Sequence, residues 1–564
     1  MEQRNIIIAV ILCFVILFGW NYFLAPKTSQ PPAQHTQSTV APSEQSTPPA
    51  PAALSREEAL AQSPRLPIDT PRLKGSVSLK GGKVDDLILR DYKATVAADS
   101  PPVALLSPAQ GQDGYFADWG WLGENDKIAL PGSETLWKSQ DRALTFDHPV
   151  TLSWDNGQGL EFRRVISVDA NYMFTVSDSV VNHAASAISL SPFGRIKRIG
   201  TPPVVGTYVL HEGPIGVLDG SLHEIKYKSL KGEDPQEYTS NGGWLGITDK
   251  YWLTALVVPQ GENIHATFHH IAKDDSYQSD FVGAKTVLMP GAERTFNGKF
   301  FAGAKEVKLL DAYRDQLGIP LFDRAVDFGW YYFLTKPMFY LLDWLYSLFG
   351  NFGLSILALT IIVKAVMFPL ANRSYRSMSR MKLLQPKMQE IKERVGDDRQ
   401  KLNMEMMELY KREKINPAAG CLPLLVQIPV FYSLYKVFYV TIEMRHAPFF
   451  GWIKDLSAPD PTSILNVFGL APWATPHLGP LHFLSIGAWP LLMGFTMWLQ
   501  QKLNPTPPDP TQARLFQLMP IIFTFTLGQF ASGLVIYWAW NNTLSILQQK
   551  FIMWRVERSK PRLA

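Results

Sequence analysis

An apolar run at residues 352–370, broken by a single lysine, most constrains what this chain can fold into. As a helix that rises ~1.5 Å per residue, the run is about long enough to cross the ~30 Å hydrocarbon core of a bilayer. Lys364 then lies roughly 18 Å along the helix from Phe352 and roughly 13 Å short of Arg373, so its charge falls within the hydrocarbon. Since a lysine at mid-span costs about 2.5–3.5 kcal/mol, such residues usually face protein or a water-filled cavity.

Lys364 has two interpretations. Its amine can snorkel along the flexible stem toward the headgroups of the lipid. Thr360, however, lies one turn earlier on the same helical face. This spacing favours a polar stripe that faces a cavity, and we predict that both side chains line it.

Charge and cysteine content say little about function. The chain of 564 residues carries 54 Lys and Arg against 50 Asp and Glu, and its first half is polar whereas its second half is rich in long apolar runs. The two cysteines, Cys13 and Cys421, lie in or at the start of apolar runs, so no disulfide framework is expected. The composition predicts a multi-domain membrane protein.

The amino terminus predicts an anchor and a tether. Residues 1–25 hold a basic residue followed by an apolar run, a pattern that a signal peptide shares. Because the bulky Phe23 and then Pro26 surround the candidate cleavage point, we predict an uncleaved signal-anchor transmembrane helix with its basic end in the cytoplasm. Residues 26–64 are rich in Pro, Ser, Thr, Gln and Ala, which predicts a disordered periplasmic linker.

Residues 65–320 show period-two alternation, as at residues 172–176, punctuated by turn residues. This pattern predicts a large all-β sandwich outside the membrane, in the periplasm. Several neighbouring histidines and acids could in principle act as acid and base, but they have no metalloprotease spacing, nucleophile elbow or phosphate loop beside them. Polar positions on strand edges explain them equally well. They are His211, Glu212, His223, Glu224, His269 and His270.

Residues 321–350 are unusually aromatic, with charged residues between the rings. The segment is too charged to span a membrane comfortably, and we predict an amphipathic helix that lies in the membrane interface. Packing of the same rings against the β domain is the alternative.

Residues 371–417 predict a cytoplasmic helical hairpin. Between residues 371 and 415 there are twelve Lys and Arg against seven Asp and Glu, and short basic loops stay in the cytoplasm. Apolar residues recur at spacings of three and four in two arms separated by Gly396. Asp397 and Gln400 are placed as a capping pair for the second arm. The many methionines could form either the seam between the arms or an adaptable surface for apolar partners.

The remaining apolar runs predict transmembrane helices at residues 418–440, 481–501, 515–530 and 532–554. A periplasmic loop at 441–480 holds Arg445 and Lys454 as its basic residues, a cytoplasmic loop covers 502–514, and a basic cytoplasmic tail covers 555–564. With the anchor and the helix at 351–370 this makes six crossings. The charge pattern then puts both termini and the hairpin in the cytoplasm and the β domain on the far side.

Several motifs carry a family resemblance. The most extensive is Asn-Pro-Ala-Ala-Gly-Cys-Leu-Pro-Leu-Leu-Val-Gln-Ile-Pro-Val-Phe at residues 416–431, joined by residues 364–370, 383–387 and 405–411. Together they resemble the YidC-type membrane protein insertases of the YidC/Oxa/Alb family. Residues 532–537, Ser-Gly-Leu-Val-Ile-Tyr, are similar to the last hairpin of that family. The resemblance covers about residues 354–553, and the anchor, tether and β domain resemble the long bacterial form.

The resemblance implies a five-helix insertase core that encloses a polar groove, open to the cytoplasm and to lipid. The groove charge of the family is commonly arginine, and the matching Lys364 keeps the charge but lacks the planar fork that grips carboxylates. Expected groove residues are Lys364, Thr360, Gln427 and Gln529, and expected substrate contacts are Ile428 and Phe431. No catalytic residue, cofactor or metal is expected.

The implied function is that of an insertase and chaperone for nascent membrane proteins of the bacterial inner membrane. Its implied partners are those nascent proteins, the Sec translocon with its accessory subunits, the ribosome and signal recognition pathway, and the lipid bilayer, but not DNA. One rival is a membrane-anchored periplasmic carbohydrate-active enzyme, which would need one anchor and would leave the other crossings and Lys364 unexplained. A solute transporter is a second rival, but no internal repeat is found.

Overall fold

The structure is a computed structural model that describes residues 54–558 except 112, 125–127, 204–209, 397, 414–421, 472, 474–483 and 505–509. The predicted anchor at 1–25, most of the predicted linker at 26–64 and the end of the tail lie outside the described residues. The chain divides into two compact units, residues 1–327 and 328–564.

The first unit is a sandwich of two antiparallel sheets. One sheet has ten strands, with the order β1-β2-β3-β5-β9-β16-β15-β12 plus β4 beside β3 and β17 beside β9, and the other has eight in the order β11-β10-β13-β14-β18-β8-β7-β6. The strands are β1 Arg65–Asp69, β2 Leu73–Ser78, β3 Lys83–Lys93, β4 Pro102–Leu106, β5 Tyr115–Gly123, β6 Val150–Asp155, β7 Leu160–Val168, β8 Met173–Asn182, β9 Ile188–Ile199, β10 Gly213–Leu218, β11 Ser221–Glu224, β12 Gln236–Asn241, β13 Trp244–Thr248, β14 Trp252–Val257, β15 Asn263–Ile271, β16 Ser276–Gly283, β17 Thr286–Leu288 and β18 Glu293–Ala304.

Alternation along the strands builds the core of the sandwich, as the sequence predicts. In β7 and β8 nearly every second side chain is buried. Polar contacts also join the two sheets: the Tyr115 hydroxyl lies 2.5 Å from Thr254 Oγ1, and Ser279 Oγ donates to the Gly246 carbonyl at 3.0 Å. The all-β sandwich prediction is confirmed.

The buried Arg164 makes four hydrogen bonds within the sandwich. Its guanidinium donates to both carboxylate oxygens of Asp178 at 2.6 and 2.9 Å, and to the carbonyl oxygens of Gly82 and Trp119 at 2.6 Å each. The planar guanidinium donates to all of these oxygens at once. The Asp178 carboxylate therefore compensates the positive charge of Arg164, although both groups are removed from water.

The predicted linker is too long at its carboxyl end. Helix α1, Arg56–Ala61, begins with a capping box in which the side chains of Ser55 and Glu58 accept from each other's backbone N–H groups. Arg56 in turn donates to the Leu106 carbonyl at 2.7 Å and pairs with Asp86. The short Ser-Arg-Glu-Glu signal is hidden by the Pro- and Ala-rich sequence that precedes it.

The aromatic segment at 321–350 is not one helix. In the first unit, α2 is Tyr227–Leu230 and α3 is Val307–Leu317, and a 3-10 helix follows at Phe322–Ala325. Phe322 is buried and lies edge-on to Trp244, with ring centroids 5.3 Å apart. The first rings of the segment therefore belong to the β domain, as the alternative interpretation holds, and the α-helix of the segment covers Tyr332–Phe349.

The second unit is helical. Its helices are α4 Tyr332–Phe349, α5 Phe352–Val366, α6 Phe368–Val395, α7 Arg399–Arg412, α8 Leu422–Val440, α9 Ala488–Leu503, α10 Pro510–Leu527 and α11 Ser532–Arg558. By length and composition, none of the described helices could cross a membrane alone, whereas the bent pair α5 and α6 could do so together.

The predicted helix at 351–370 ends four residues early. α5 stops at Val366, and α6 starts at Phe368 at an angle of 68° to it. Pro369 falls in the first turn of α6, where a missing N–H costs nothing and the fixed φ suits a helix start. The first arm of the predicted hairpin thus begins inside the predicted span.

The predicted helix at 481–501 is also displaced. α9 begins only at Ala488, because loop side chains cap it there: Thr462 Oγ1 accepts from the Ala488 N–H at 3.0 Å, and Asp460 accepts from the Trp489 N–H at 2.9 Å. The predicted helix at 515–530 is displaced in the other direction: it begins earlier, at Pro510, and ends at Leu527.

The helices α6 and α7 pack antiparallel. Arg394 pairs with Glu405 near the turn, and Lys387 pairs with Glu413 at 2.8 Å farther along. Apolar side chains at the predicted spacing fill the seam between them: Leu384, Met388, Met406 and Leu409, with Ile391, Leu402 and Tyr410 around them. The N-cap of α7 is Asp398, whose carboxylate accepts from the N–H groups of Gln400 and Lys401. Asp397, the predicted capping residue, lies outside the described residues.

Candidate functional site

The candidate site is built around α11, which packs against α5, α6, α8 and α9. Trp540 fixes α11 to α5 by donating its indole N–H to the Leu357 carbonyl at 3.2 Å. Asn542 reaches α9, where its side-chain amide lies 3.4 Å from Thr496 Oγ1. A helix with so many neighbours can hold side chains from several of them in fixed positions.

Lys364 lies half-buried in α5 and contacts α11. Its Nζ donates to Ser545 Oγ at 2.7 Å, and Ser545 Oγ donates to the Asn541 carbonyl at 2.8 Å. In the part of the chain that the structure describes, no carboxylate lies within 4.0 Å of this ammonium. The hydrogen-bond partner that the structure describes for this cation is therefore a neutral hydroxyl.

Thr360 is nearly fully buried, with 1% of its surface exposed. Its Oγ1 donates to the Ile356 carbonyl of its own helix at 2.7 Å. The hydroxyl proton is therefore engaged by the backbone, and the side chain can offer only its oxygen lone pairs, as an acceptor, to a groove.

Gln427 and Phe431 connect α8 to α11. The half-buried Gln427 donates from its side-chain amide to the buried hydroxyl of Tyr537, and the Phe431 ring stacks on Trp538 with centroids 4.4 Å apart and planes at 14°. Ile428, between them in sequence, is 53% exposed. Tyr537 and Ser545 lie about 12 Å apart along α11, so Gln427 and Lys364 contact this helix at two different levels.

Gln529 is not brought to the other site residues by any contact of α5 or α8. It lies exposed in the turn between α10 and α11, beyond the end of α10 at Leu527. The structure thus places Lys364, Gln427 and Phe431 against α11, with Thr360 one turn before Lys364 in α5 and Gln529 in the separate turn between α10 and α11.

Sequence reasoning missed the polar face of α11. Asn541, Asn542, Ser545 and Gln549 are all buried there. Gln549 donates to the Leu503 carbonyl and to Asn504, both at 3.2 Å, and its own carbonyl oxygen is a buried acceptor without a hydrogen-bond partner in the described structure. The available signal was the pair of polar runs Asn-Asn-Thr and Gln-Gln within an otherwise apolar stretch.

Three of the histidines singled out in the β domain make hydrogen bonds or packing contacts within it. His211 is buried and its Nε2 donates to the Pro214 carbonyl at 3.0 Å, and burial lowers its pKa to about 4. His270 lies 2.8 Å from an Asp275 carboxylate oxygen, and His223 packs on the Tyr238 ring at 4.3 Å. Among the described residues, no group of three or more His, Cys, Asp or Glu side chains is placed to hold a metal ion.

Two family models match most of the chain. Residues 65–341 match the family described as the YidC periplasmic domain, and residues 344–559 match the 60Kd inner membrane protein family. Together with the β-sandwich and the helical second unit, these matches define an inner-membrane protein with a periplasmic domain.

Full-length relatives give the same result. The membrane protein insertase YidC of Brucella suis biovar 1 (strain 1330) is 50% identical over 593 residues, which cover 98% of this chain and 96% of the relative. The protein of the same name from Granulibacter bethesdensis is 50% identical over 580 residues, which cover 100% of both chains. The chain belongs to the YidC family of membrane protein insertases, which act on membrane proteins in the lipid bilayer. The predicted family and non-enzymatic function are confirmed.

Solved structures also resemble the chain. A crystal structure of active YidC insertase with the first transmembrane domain resolved is 19% identical, covers 86% of this chain and 91% of its own, and has a TM-score of 0.36. A putative aldose 1-epimerase from Escherichia coli K12 is 11% identical, covers 42% of this chain and 98% of its own, and has a TM-score of 0.29.

Proposed function

We propose that this insertase receives the polar segments of nascent membrane proteins in a groove beside Lys364, and that it releases their apolar segments sideways into lipid. The observation that carries the proposal is the environment of the Lys364 ammonium. Of its three N–H donors, one is bonded to the neutral hydroxyl of Ser545, and among the described residues no carboxylate lies within 4.0 Å of it. An ammonium without a carboxylate partner attracts acidic and polar segments of a substrate and shortens the apolar barrier that they must cross.

Exposed apolar residues on the helix of Lys364 and on α8 support the lateral route. Ile361 and Val366 in α5 and Ile428 in α8 are all exposed. An apolar substrate segment can pass along such a surface into lipid without breaking polar contacts. Burial of ~20 apolar residues in the bilayer supplies the driving force, so no nucleotide is required.

The proposed topology has six crossings, with both termini and the α6–α7 hairpin in the cytoplasm. The basic excess of the hairpin and the tail supports this orientation. Helix α4 is proposed to lie in the interface, since its exposed face is a continuous apolar stripe at helical spacing. The stripe consists of Phe333, Pro337, Tyr340, Trp344 and Leu348.

The proposed partners are the Sec translocon with its accessory subunits, the ribosome and the signal recognition pathway. Met404 and Met407 are exposed on α7, on the side away from the seam, and an adaptable methionine surface suits apolar segments of an emerging chain. The protein also acts as a chaperone that helps inserted segments fold, either alone or with the translocon. The basic tail contacts ribosomal RNA or anionic lipid in this proposal.

Site-specific photocrosslinking tests the groove. A photoreactive residue at Ile428 should form adducts with ribosome-bound nascent chains of single-span substrates. The matched control is Leu470, which is 85% exposed in the loop between α8 and α9 and should give no such adduct. Adducts of Ile428 with lipid alone, or equal nascent-chain adducts at both positions, would remove α8 from the substrate path.

A further inference from the structure

The Ser545 hydroxyl accepts a hydrogen bond from Lys364. Ser545 is 2% exposed, and its single proton goes to the Asn541 carbonyl at 2.8 Å. The oxygen also accepts from Lys364 Nζ at 2.7 Å, and it is a hydrogen-bond partner of the Tyr375 hydroxyl in α6. Because an ammonium can only donate, Ser545 Oγ is the acceptor in this contact, and its bonds to α6 and to the backbone of α11 hold the oxygen in place.

A lysine needs such an acceptor more than an arginine would. The ammonium is a point charge on a flexible four-carbon stem, without the rigid fork of a guanidinium. Nothing in the stem itself prevents the amine from snorkelling toward the headgroups. One hydrogen bond to a fixed hydroxyl selects the rotamers that keep the amine beside α11, and it leaves two donors for a substrate.

The acceptor is itself well anchored. Trp540 joins α11 to α5 by its bond to the Leu357 carbonyl, about one turn from Ser545 and two turns from Lys364 in sequence. On another side, Gln549 and Asn542 tie α11 to α9 and to the residue that follows it. Ser545 is thus held in place by bonds on either side of it along α11.

We infer that Ser545 is a positioning residue that holds the Lys364 ammonium in the substrate path and thereby sets the preference for acidic translocated segments. This inference rests on the proposed function of the groove. It assigns to a neutral side chain on α11 a specificity-determining role that acts only through the lysine.

A double-mutant cycle in the full-length protein tests this role. Ser545→Ala, Lys364→Gln and the double variant are compared for the insertion rate of two single-span substrates, one with an acidic and one with a neutral translocated end. Ser545→Ala should slow the acidic substrate by roughly threefold to tenfold, the scale of one lost hydrogen bond to a charged group that water partly replaces, and should spare the neutral one. The double variant should be no slower than Lys364→Gln.

A matched control separates positioning from helix stability. Ser355 is also buried and also donates to the carbonyl four residues earlier, that of Asn351 at 2.9 Å, but it has no contact with Lys364. Ser355→Ala should insert both substrates at the wild-type rate.

Three results overturn the inference while the groove proposal survives. They are a wild-type rate for Ser545→Ala beside a slow Lys364→Gln, equal slowing of both substrates by Ser545→Ala, and additive effects in the double variant. Normal insertion of the acidic substrate by Lys364→Gln would instead overturn the proposed function, and the inference with it.

Discussion

The side-chain amide of Gln427 in α8 donates a hydrogen bond to the hydroxyl of Tyr537 in α11. Tyr537 is buried and Gln427 half-buried, so two polar groups of an otherwise apolar interface satisfy each other. The contact lies about two turns from Ser545 along α11. It therefore links α8, which carries the substrate-contact candidates, to α11, whose Ser545 accepts a hydrogen bond from Lys364.

Tyr537→Phe should destabilise the helical unit. The change keeps the ring but leaves the Gln427 amide without its acceptor, at a cost on the order of 1–3 kcal/mol. The double variant Gln427→Leu with Tyr537→Phe should recover part of this loss, because both polar groups are then removed. Thermal unfolding in detergent measures the effect. The control is Tyr346→Phe, since Tyr346 is exposed, and equal melting of Tyr537→Phe and wild type would contradict the expectation.

Gly494→Ala should separate α9 from α10. A Cβ atom at Gly494 would lie 1.9 Å from Thr524 Oγ1, and Thr524 is buried against it. Alanine is the better helix former by ~1 kcal/mol, but overpacking of this kind costs about 1–3 kcal/mol, so the variant should be less stable overall. The second change Thr524→Ala removes the opposing hydroxyl and should restore stability. If Gly494→Ala alone melts at or above the wild-type temperature, this contact is not close-packed.

Lys305 should make the β-sandwich more stable at alkaline pH. The side chain is buried and donates to Thr248 Oγ1 at 2.9 Å. Burial lowers its pKa to about 8 from the ordinary lysine value of 10.5, although Asp249, Asp327 and Glu212 partly oppose the shift. Between these two pH values the unfolded chain binds more protons than the folded one, so the free energy of unfolding rises with pH.

The expected gain from Lys305 between about pH 8 and 10.5 is roughly 3 kcal/mol. Urea unfolding of wild type and Lys305→Met at both ends of this window measures it, with tryptophan fluorescence as the readout. The methionine variant has no proton to bind at this position, so its free energy of unfolding relative to that of wild type should fall as the pH rises. A constant difference between the two proteins would show that Lys305 is not the titrating group.

Local sequence patterns predicted the features that depend on residues close together in the chain. Period-two alternation found the sandwich, and spacings of three and four found the seam in which Met388 packs against Met406 and Leu409. These signals work because each buried face is built from residues near one another in sequence. The resemblance in residues 416–431 supplied the family, which the comparisons confirmed.

Features that depend on distant residues could not be predicted. The start of α9 is set by Asp460 and Thr462, which lie far upstream. The bend after Val366 is invisible to hydropathy, because the apolar run continues through Phe368. The acceptor for Lys364 lies on α11, and no periodicity in either helix indicates that pairing.

The most direct measurement of the central claim is the insertion rate of a single-span substrate with an acidic translocated end by charge variants of Lys364. Lys364→Arg should insert it at a rate close to wild type, whereas Lys364→Glu should slow it at least about tenfold, equivalent to ~1.4 kcal/mol in the barrier. A neutral-ended substrate should be affected far less. If Lys364→Glu is stably produced and still inserts the acidic substrate at the wild-type rate, the cation does not guide the substrate and the proposed groove is wrong.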